Sequence, residues 1–303
     1  MFWGCRDPIR AILSFSDIRE QSSAMRTELR RRFVDLDNWQ AHYRELGETG
    51  RPPLVMFHGS PGSGFSLVPL MRALAVERHV IAIDSRGNGD STPFPLDAPT
   101  ITDYANAHWE VVDAIGLERF DIYGYHTGAA ICPQLSIDHG DRINKIILDG
   151  VSVFSPDEQG ELFDNDHAPN IPIDLEGTQL LRAWNMVRDA HLFWPWWDHA
   201  RENMRDLGLP NAEYLHGEAI EVLKNCSSYF QSYRAALRYD KTGSLPLINN
   251  PTLVTACPTD QLYGFMDRAA DLIPNSERIE HPDPRGVREI RETARIMLDF
   301  LSR

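Results

Sequence analysis

The stretch IYGYHTGAA (122–130) decides how this chain is to be read. It holds the frame Gly-x-Xaa-x-Gly as Gly124, Tyr125, His126, Thr127 and Gly128. An apolar run, RFDIYGY (119–125), precedes the frame, and a helix-forming segment (128–138) follows it. Such a frame marks a sharp strand-to-helix turn that lifts its middle residue into a cleft, and that residue is ordinarily a serine nucleophile. Here it is an imidazole.

On either side of the frame, short runs rich in β-branched residues alternate with helical periodicity. Arg32–Leu36 and Trp39–Leu46 read as an opening antiparallel pair. Strand PPLVMFHG (52–59), a helix over 65–77, strand HVIAIDS (79–85) and a helix over 101–116 lead up to the frame, and strand NKIILDGVSV (144–153) follows its helix. Near-continuous apolar strands separated by helices predict a parallel sheet covered on both faces. From 155 to 247 the chain is rich in Trp, Phe, His and acidic residues and has helical spacing only. The alternation then resumes with strand TLVTAC (252–257), a helix over 262–273, strand SERIEH (276–281) and a final helix over 288–302. This predicts an α/β core over 32–154 and 248–303, a helical cap over 155–247 above the strand ends, and an N-terminal helical extension over 1–31. Ligands of open α/β sheets bind at those carboxyl ends.

Two further motifs lie at strand ends. HGSPGSG (58–64) follows the first parallel strand, and its small residues let backbone amides face a cleft. DSRGNGDS (84–91) follows the next strand; its glycines permit a tight turn, and Arg86 can pair with Asp84. In this order, the three motifs resemble the α/β-hydrolase superfamily, in the lidded branch of epoxide hydrolases, haloalkane dehalogenases and proline iminopeptidases. The resemblance covers about residues 32–303, the cap matching only in position and composition. It implies an eight-stranded, mostly parallel sheet, a cis bond before Pro61, and oxyanion-hole amides from Ser60 and Thr127. It puts the family's acid at Asp260, in PTDQLYG, and gives His58 a supporting role in the oxyanion loop. The family's catalytic histidine would fall near Asp283–Gly286, where this chain has none; His281 stands a few residues early. The usual triad is therefore not present as such.

His126 is open to several readings. Gly124, Thr127 and Gly128 are intact, so the turn is kept around a side chain able to react. Imidazole titrates near neutral pH and two oxyanion amides would stabilise charge on a bound carbonyl. With Asp260 orienting the ring, His126 is expected to act as general base, nucleophilic attack through an acyl-imidazole being the alternative. His281 is either a displaced triad histidine or the cap of a strand end, and Asp149 is either a second acid or structural. A metal held by His58, His126, Asp260 and His281 lacks any local ligand spacing, so none is expected. The cap stretch AWNMVRDAHLFWPWWDHA (183–200) is expected to line the pocket with His191, Phe193, Trp194 and Trp197, beside His58 and Tyr125. Such a lining favours an apolar or aromatic substrate.

Composition narrows the class. A net charge of −14 without a basic stripe argues against nucleic acid or an anionic membrane as partner. No run approaches the roughly 20 apolar residues of a membrane span. Cys5, Cys132, Cys226 and Cys257 lie far apart without CxxC spacing, which fits reduced thiols in a cytoplasm. Seven arginines in 1–32 resemble a transit peptide, but Asp7, Asp17, Glu20 and Glu28 interrupt them. The N-terminal helix leaves a homodimer open. The expectation is a cofactor-independent enzyme that hydrolyses a small carbonyl compound. A lyase or isomerase using the same base is the runner-up, and a non-catalytic binder the third reading.

Overall fold

Four short, mostly buried apolar strands fix the sheet: β3 (Leu54–Phe57), β4 (Val80–Ile83), β6 (Ile143–Asp149) and β7 (Thr252–Thr255), with β5 (Phe120–Tyr125) at the centre. With β1 (Arg30–Asp35), β2 (Gln40–Leu46) and β8 (Ser276–Arg278), they make one eight-stranded sheet in the order 1-2-4-3-5-6-7-8. The computed structural model describes residues 28–48, 50–164 and 169–303. The predicted N-terminal helix falls almost wholly outside these residues. Its last two positions, Arg30 and Arg31, belong instead to β1, because they pair with Glu45 and Arg44 of β2.

β2 runs antiparallel to both of its neighbours, β1 and β4, and every pairing from β4 through to β8 is parallel. The register aligns the carboxyl ends that matter: Phe57 lies beside Gly124, Tyr125 beside Asp149, and Asp149 beside Thr255. The segments leaving β3, β5, β6 and β7 therefore emerge along one edge.

One face of the sheet is covered by α1 (Val68–Leu74) and α10 (Val287–Ser302), whose Met71, Leu74, Met297 and Leu301 pack on Leu54, Met56 and Val80. The other face carries α2 (Ile101–Ala114), α3 (Thr127–His139) and α9 (Met266–Leu272). Thr100 starts α2 through a capping box with Asp103, which satisfies two otherwise orphaned amides.

Between β6 and β7 come α4 (Pro156–Asp164), α5 (Thr178–Ala190), α6 (Ala212–Lys224), α7 (Tyr229–Arg238) and the short α8 (Lys241–Ser244). Ala183, Met186 and Val187 of α5 meet Leu215 and Val222 of α6 in a cluster of their own. Polar contacts tie this layer to the loops beneath it. Ser228 donates to the Gly87 carbonyl (2.8 Å) and Asn225 to the Gly89 carbonyl (2.7 Å). The Ser63 hydroxyl donates to Glu221 (2.6 Å). Among the described residues no helix is long and apolar enough to cross a membrane.

Arg86 does not pair with Asp84. The Asp84 carboxylate is already taken by His42 (2.7 Å), Arg44 (2.8 Å) and the Gly64 amide (2.9 Å). Arg86 stacks instead over the rings of Trp39 and Phe94. The bond before Pro61 is cis, and so is that before Pro195.

Candidate active site

β5 ends at Tyr125 and α3 begins at Thr127, so His126 alone makes the turn. Its backbone sits at φ 49°, ψ −103°, the sole positive φ of a non-glycine residue among those described. Such a conformation is costly and persists only where the surroundings over-determine it. Here the His126 amide donates to the Asp149 carbonyl (3.0 Å) and the Gly128 amide to the His58 carbonyl (3.1 Å). Neither flanking glycine tolerates a side chain: a Cβ on Gly124 would meet the Gly128 backbone at 2.4 Å, and one on Gly128 the Phe57 carbonyl at 2.1 Å.

The His126 ring lies against Tyr125, centroids 3.9 Å apart, and its Nε2 is 2.7 Å from Asp260 Oδ2. The other carboxylate oxygen of Asp260 accepts the Leu262 amide at 2.7 Å. Burial pushes the Asp260 pKa up, but His126, the Leu262 amide and Arg205 outweigh it and hold the group below its ordinary value. Asp260 is thus an anion, and the short contact has His126 Nε2 donating to it; in the neutral form of the ring the lone pair then lies on Nδ1. Gly150 makes room for this: at φ +64° it lies under the ring, and a Cβ there would be 2.5 Å from Cδ2 and 2.7 Å from Nε2 of His126.

Ser60 and Thr127 stand at the same spot. The Ser60 amide donates to Thr127 Oγ1 (3.2 Å). The Thr127 amide opens α3, where amides lack intrahelical partners. From above, Ser232 of α7 holds the Ser60 hydroxyl at 2.5 Å and donates to Asn88.

His126, Thr127 and Ser60 form the polar end of a cavity of about 150 Å³. Phe154, Met186, Trp194, Trp196 and Tyr233 are the large side chains among its remaining wall, with Tyr229. Of the cap residues named from sequence, Trp194 alone lines it. His191 is turned to Glu218 (2.9 Å), Phe193 to the His199 ring, and Trp197 packs edge-on against Trp196. Tyr125 backs the His126 ring and lies outside the cavity wall. His58 is buried beneath the segment that follows β3, donating through Nδ1 to the Gly59 carbonyl (2.7 Å) and accepting the Ser85 amide at Nε2 (2.9 Å). Burial keeps it neutral, its pKa lowered.

His281 stands apart from the cavity, 4% exposed. Its Nε2 is 3.1 Å from Asp149 Oδ1 and its Nδ1 2.8 Å from the Pro282 carbonyl. Burial pushes its pKa down, but the Asp149 carboxylate and the Pro282 carbonyl reverse this and raise it to about 9. With acceptors at both nitrogens, the ring is an imidazolium. Asp149 also accepts the Tyr123 hydroxyl (2.7 Å).

A sequence model described as the alpha/beta hydrolase fold matches residues 52–195. The chain is 31% identical over 236 residues to "Putative carbamate hydrolase RutD" of Caulobacter sp. (strain K31), covering 75% of this chain and 80% of that protein. It belongs to the α/β-hydrolase superfamily. A second relative of this α/β-hydrolase is the 2-hydroxy-6-oxononadienedioate/2-hydroxy-6-oxononatrienedioate hydrolase 2 of Pseudomonas putida, 32% identical over 174 residues, 55% of this chain and 54% of that one. The solved structure of Epoxide Hydrolase A from Mycobacterium thermoresistibile matches in fold with a TM-score of 0.71 at 21% identity, covering 91% of this chain and 98% of that chain. The protein is accordingly an enzyme of the hydrolase class.

In this α/β-hydrolase the residue at the turn, His126, pairs directly with Asp260. His281 is instead paired with Asp149, apart from the cavity. The residues of this candidate site that sequence reasoning missed are Gly150, beside the His126 ring, and Trp196, Tyr233 and Gln261 in the cavity wall. Gly150 carried a signal, a glycine directly after a β-strand beside the elbow. The other three carried none, since only the packing of the helices between β6 and β7 over the loop after β7 brings them to one cavity.

Proposed function

We propose that this α/β-hydrolase cleaves a small apolar or aromatic carbonyl compound without a cofactor, using His126 as general base and Asp260 to orient it. The observation that carries this reading is the 2.7 Å pair between His126 Nε2 and Asp260 at the polar end of an aromatic cavity. The substrate carbonyl lies with its oxygen toward the Ser60 and Thr127 amides. His126 Nδ1 takes a proton from water as the water oxygen bonds to the carbonyl carbon. The imidazolium so formed is stabilised by the Asp260 carboxylate, and the negative oxygen by the two amides. The proton then passes to the leaving group as the tetrahedral intermediate collapses to the acid. A positioned base contributes about 10²–10⁴ in rate, and one oxyanion donor about 10²–10³.

The base role is preferred to the nucleophile role because His281, buried against Asp149, offers no second base to activate water on an acyl-imidazole. The helices between β6 and β7 act in this reading as a cap that keeps bulk water off the cavity. The carbamate hydrolase name of the first relative accords with attack on an acyl carbon. Incubating the protein with esters, lactones, epoxides and β-diketones in ¹⁸O-water tests the proposal. Water-derived oxygen in the product supports it. Turnover without that oxygen makes the protein a lyase, and tight binding without turnover makes it a binder.

A further inference from the structure

Beyond being apolar, the ligand is constrained in charge and in size by the cavity and its surroundings, provided that this cavity is the substrate site as proposed above. Among the described residues, no Lys, Arg, Asp or Glu lines the inner cavity. Behind His126, beyond its wall, stands the Asp260 carboxylate, an anion. A carboxylate bound there would lose its hydration, meet no cation and face like charge. In size, an apolar cavity of about 150 Å³ holds a single benzene ring.

A second, more open basin of about 380 Å³ lies on the far side of Trp194 and Gln261, which line both spaces. The charges are gathered in this outer basin, on Glu202, Arg205 and Asp206. Arg205 is held there by the carbonyls of Ala190 (2.6 Å) and Thr259 (3.1 Å). The backbone of the partition is itself pinned, the Trp194 amide donating to the Asn203 carbonyl at 2.9 Å.

We propose that Trp194 and Gln261 form a partition that determines specificity, closing off an inner chamber that accepts neutral, single-ring carbonyl compounds and excludes carboxylates and fused rings. The second relative is named for dienedioates, and the inner chamber here offers such dianions no cation. Selectivity therefore follows from two separate causes: charge from the empty complement of cations, and length from the indole of Trp194.

The test is binding, measured by calorimetry with unreactive probes, so that it stands apart from turnover. Acetophenone, benzoate and 2-acetylnaphthalene are titrated into the wild-type protein and into Trp194→Ala. Acetophenone is expected to bind at least about tenfold more tightly than benzoate, given the desolvation of the anion. It is expected to exceed the naphthyl ketone by a similar factor, since overpacking is resisted. In Trp194→Ala the ratio of naphthyl to phenyl ketone affinity should rise about tenfold. Should circular dichroism show that this variant does not fold, Gln261→Ala opens the same partition from the other side. Benzoate binding as tightly as acetophenone would overturn the charge argument. An unchanged ketone ratio in a folded variant would overturn the partition. Selective binding with no turnover of any ester or lactone would remove the hydrolytic reading and leave this one standing.

Discussion

Gly150→Ala is the substitution whose effect the geometry dictates most directly. The new Cβ would lie 2.5 Å from His126 Cδ2 and 2.7 Å from Nε2, while carbon atoms in ordinary contact are about 3.5–4.0 Å apart. The ring must therefore move by about 1 Å, which disturbs its 2.7 Å pair with Asp260. A misplacement of about 1 Å in a catalytic group costs roughly 10²-fold in rate. Because residue 150 sits at φ +64°, alanine also adds about 1–2 kcal/mol of backbone strain. The expected result is kcat down about 100-fold, with KM little changed because Gly150 lies outside the cavity wall, and a modest loss in urea unfolding. Steady-state kinetics on whichever substrate the panel identifies, paired with the unfolding curve, separates the two effects. A folded variant with wild-type kcat would show that the ring need not lie over Gly150, and the dyad would lose its role.

Asp260→Asn keeps the shape but removes the anion, so kcat should fall about 10²-fold, less than deletion of the ring itself, when assayed at neutral pH. Because the folded pKa of Asp260 is depressed, its stabilising charge is present above the ordinary carboxylate value and lost as pH falls through the lower folded one. An acid-side loss of stability that Asp260→Asn lacks would register this in unfolding curves. For His281 the sign is opposite. Its pKa is raised from 6.5 to about 9, so its contribution is complete below about pH 6.5 and disappears as pH rises through about 9. That contribution amounts to about 3 kcal/mol at most. Urea midpoints should fall between about pH 6.5 and 9 in the wild type and stay flat in His281→Gln, whose turnover is expected within about tenfold of wild type. Complete loss of turnover in a folded His281→Gln protein would instead make His281 the working base.

The elbow is legible in the sequence because its constraints are local. Gly124 and Gly128 are forced by contacts within the turn and with the adjacent strand, so the frame announces itself in five residues. The parallel strands are legible because burial on both faces leaves runs such as LVMF and VIAI without polar interruption. The pairing of His126 with Asp260, 134 residues apart, is reachable only through the order of motifs along the sheet. The cavity wall is not legible. In 191–197 aromatic rings stand almost side by side, and which of them turn inward depends on how the segment crosses α5 and α6. Arg86 is opaque for a similar reason: nothing in DSRGNGDS shows that Arg44, from another strand, already holds Asp84.

That the imidazole at the elbow performs the chemistry is tested most directly by His126→Ala, measured by single-turnover kinetics and calorimetry. The expected result is a loss of about 10²–10⁴ in the chemical step, with substrate affinity held within a few-fold, because the aromatic wall and the Ser60 and Thr127 amides remain. Wild-type turnover in a folded His126→Ala protein would contradict it, and the elbow would then be part of a ligand-binding site with no catalytic role for its histidine.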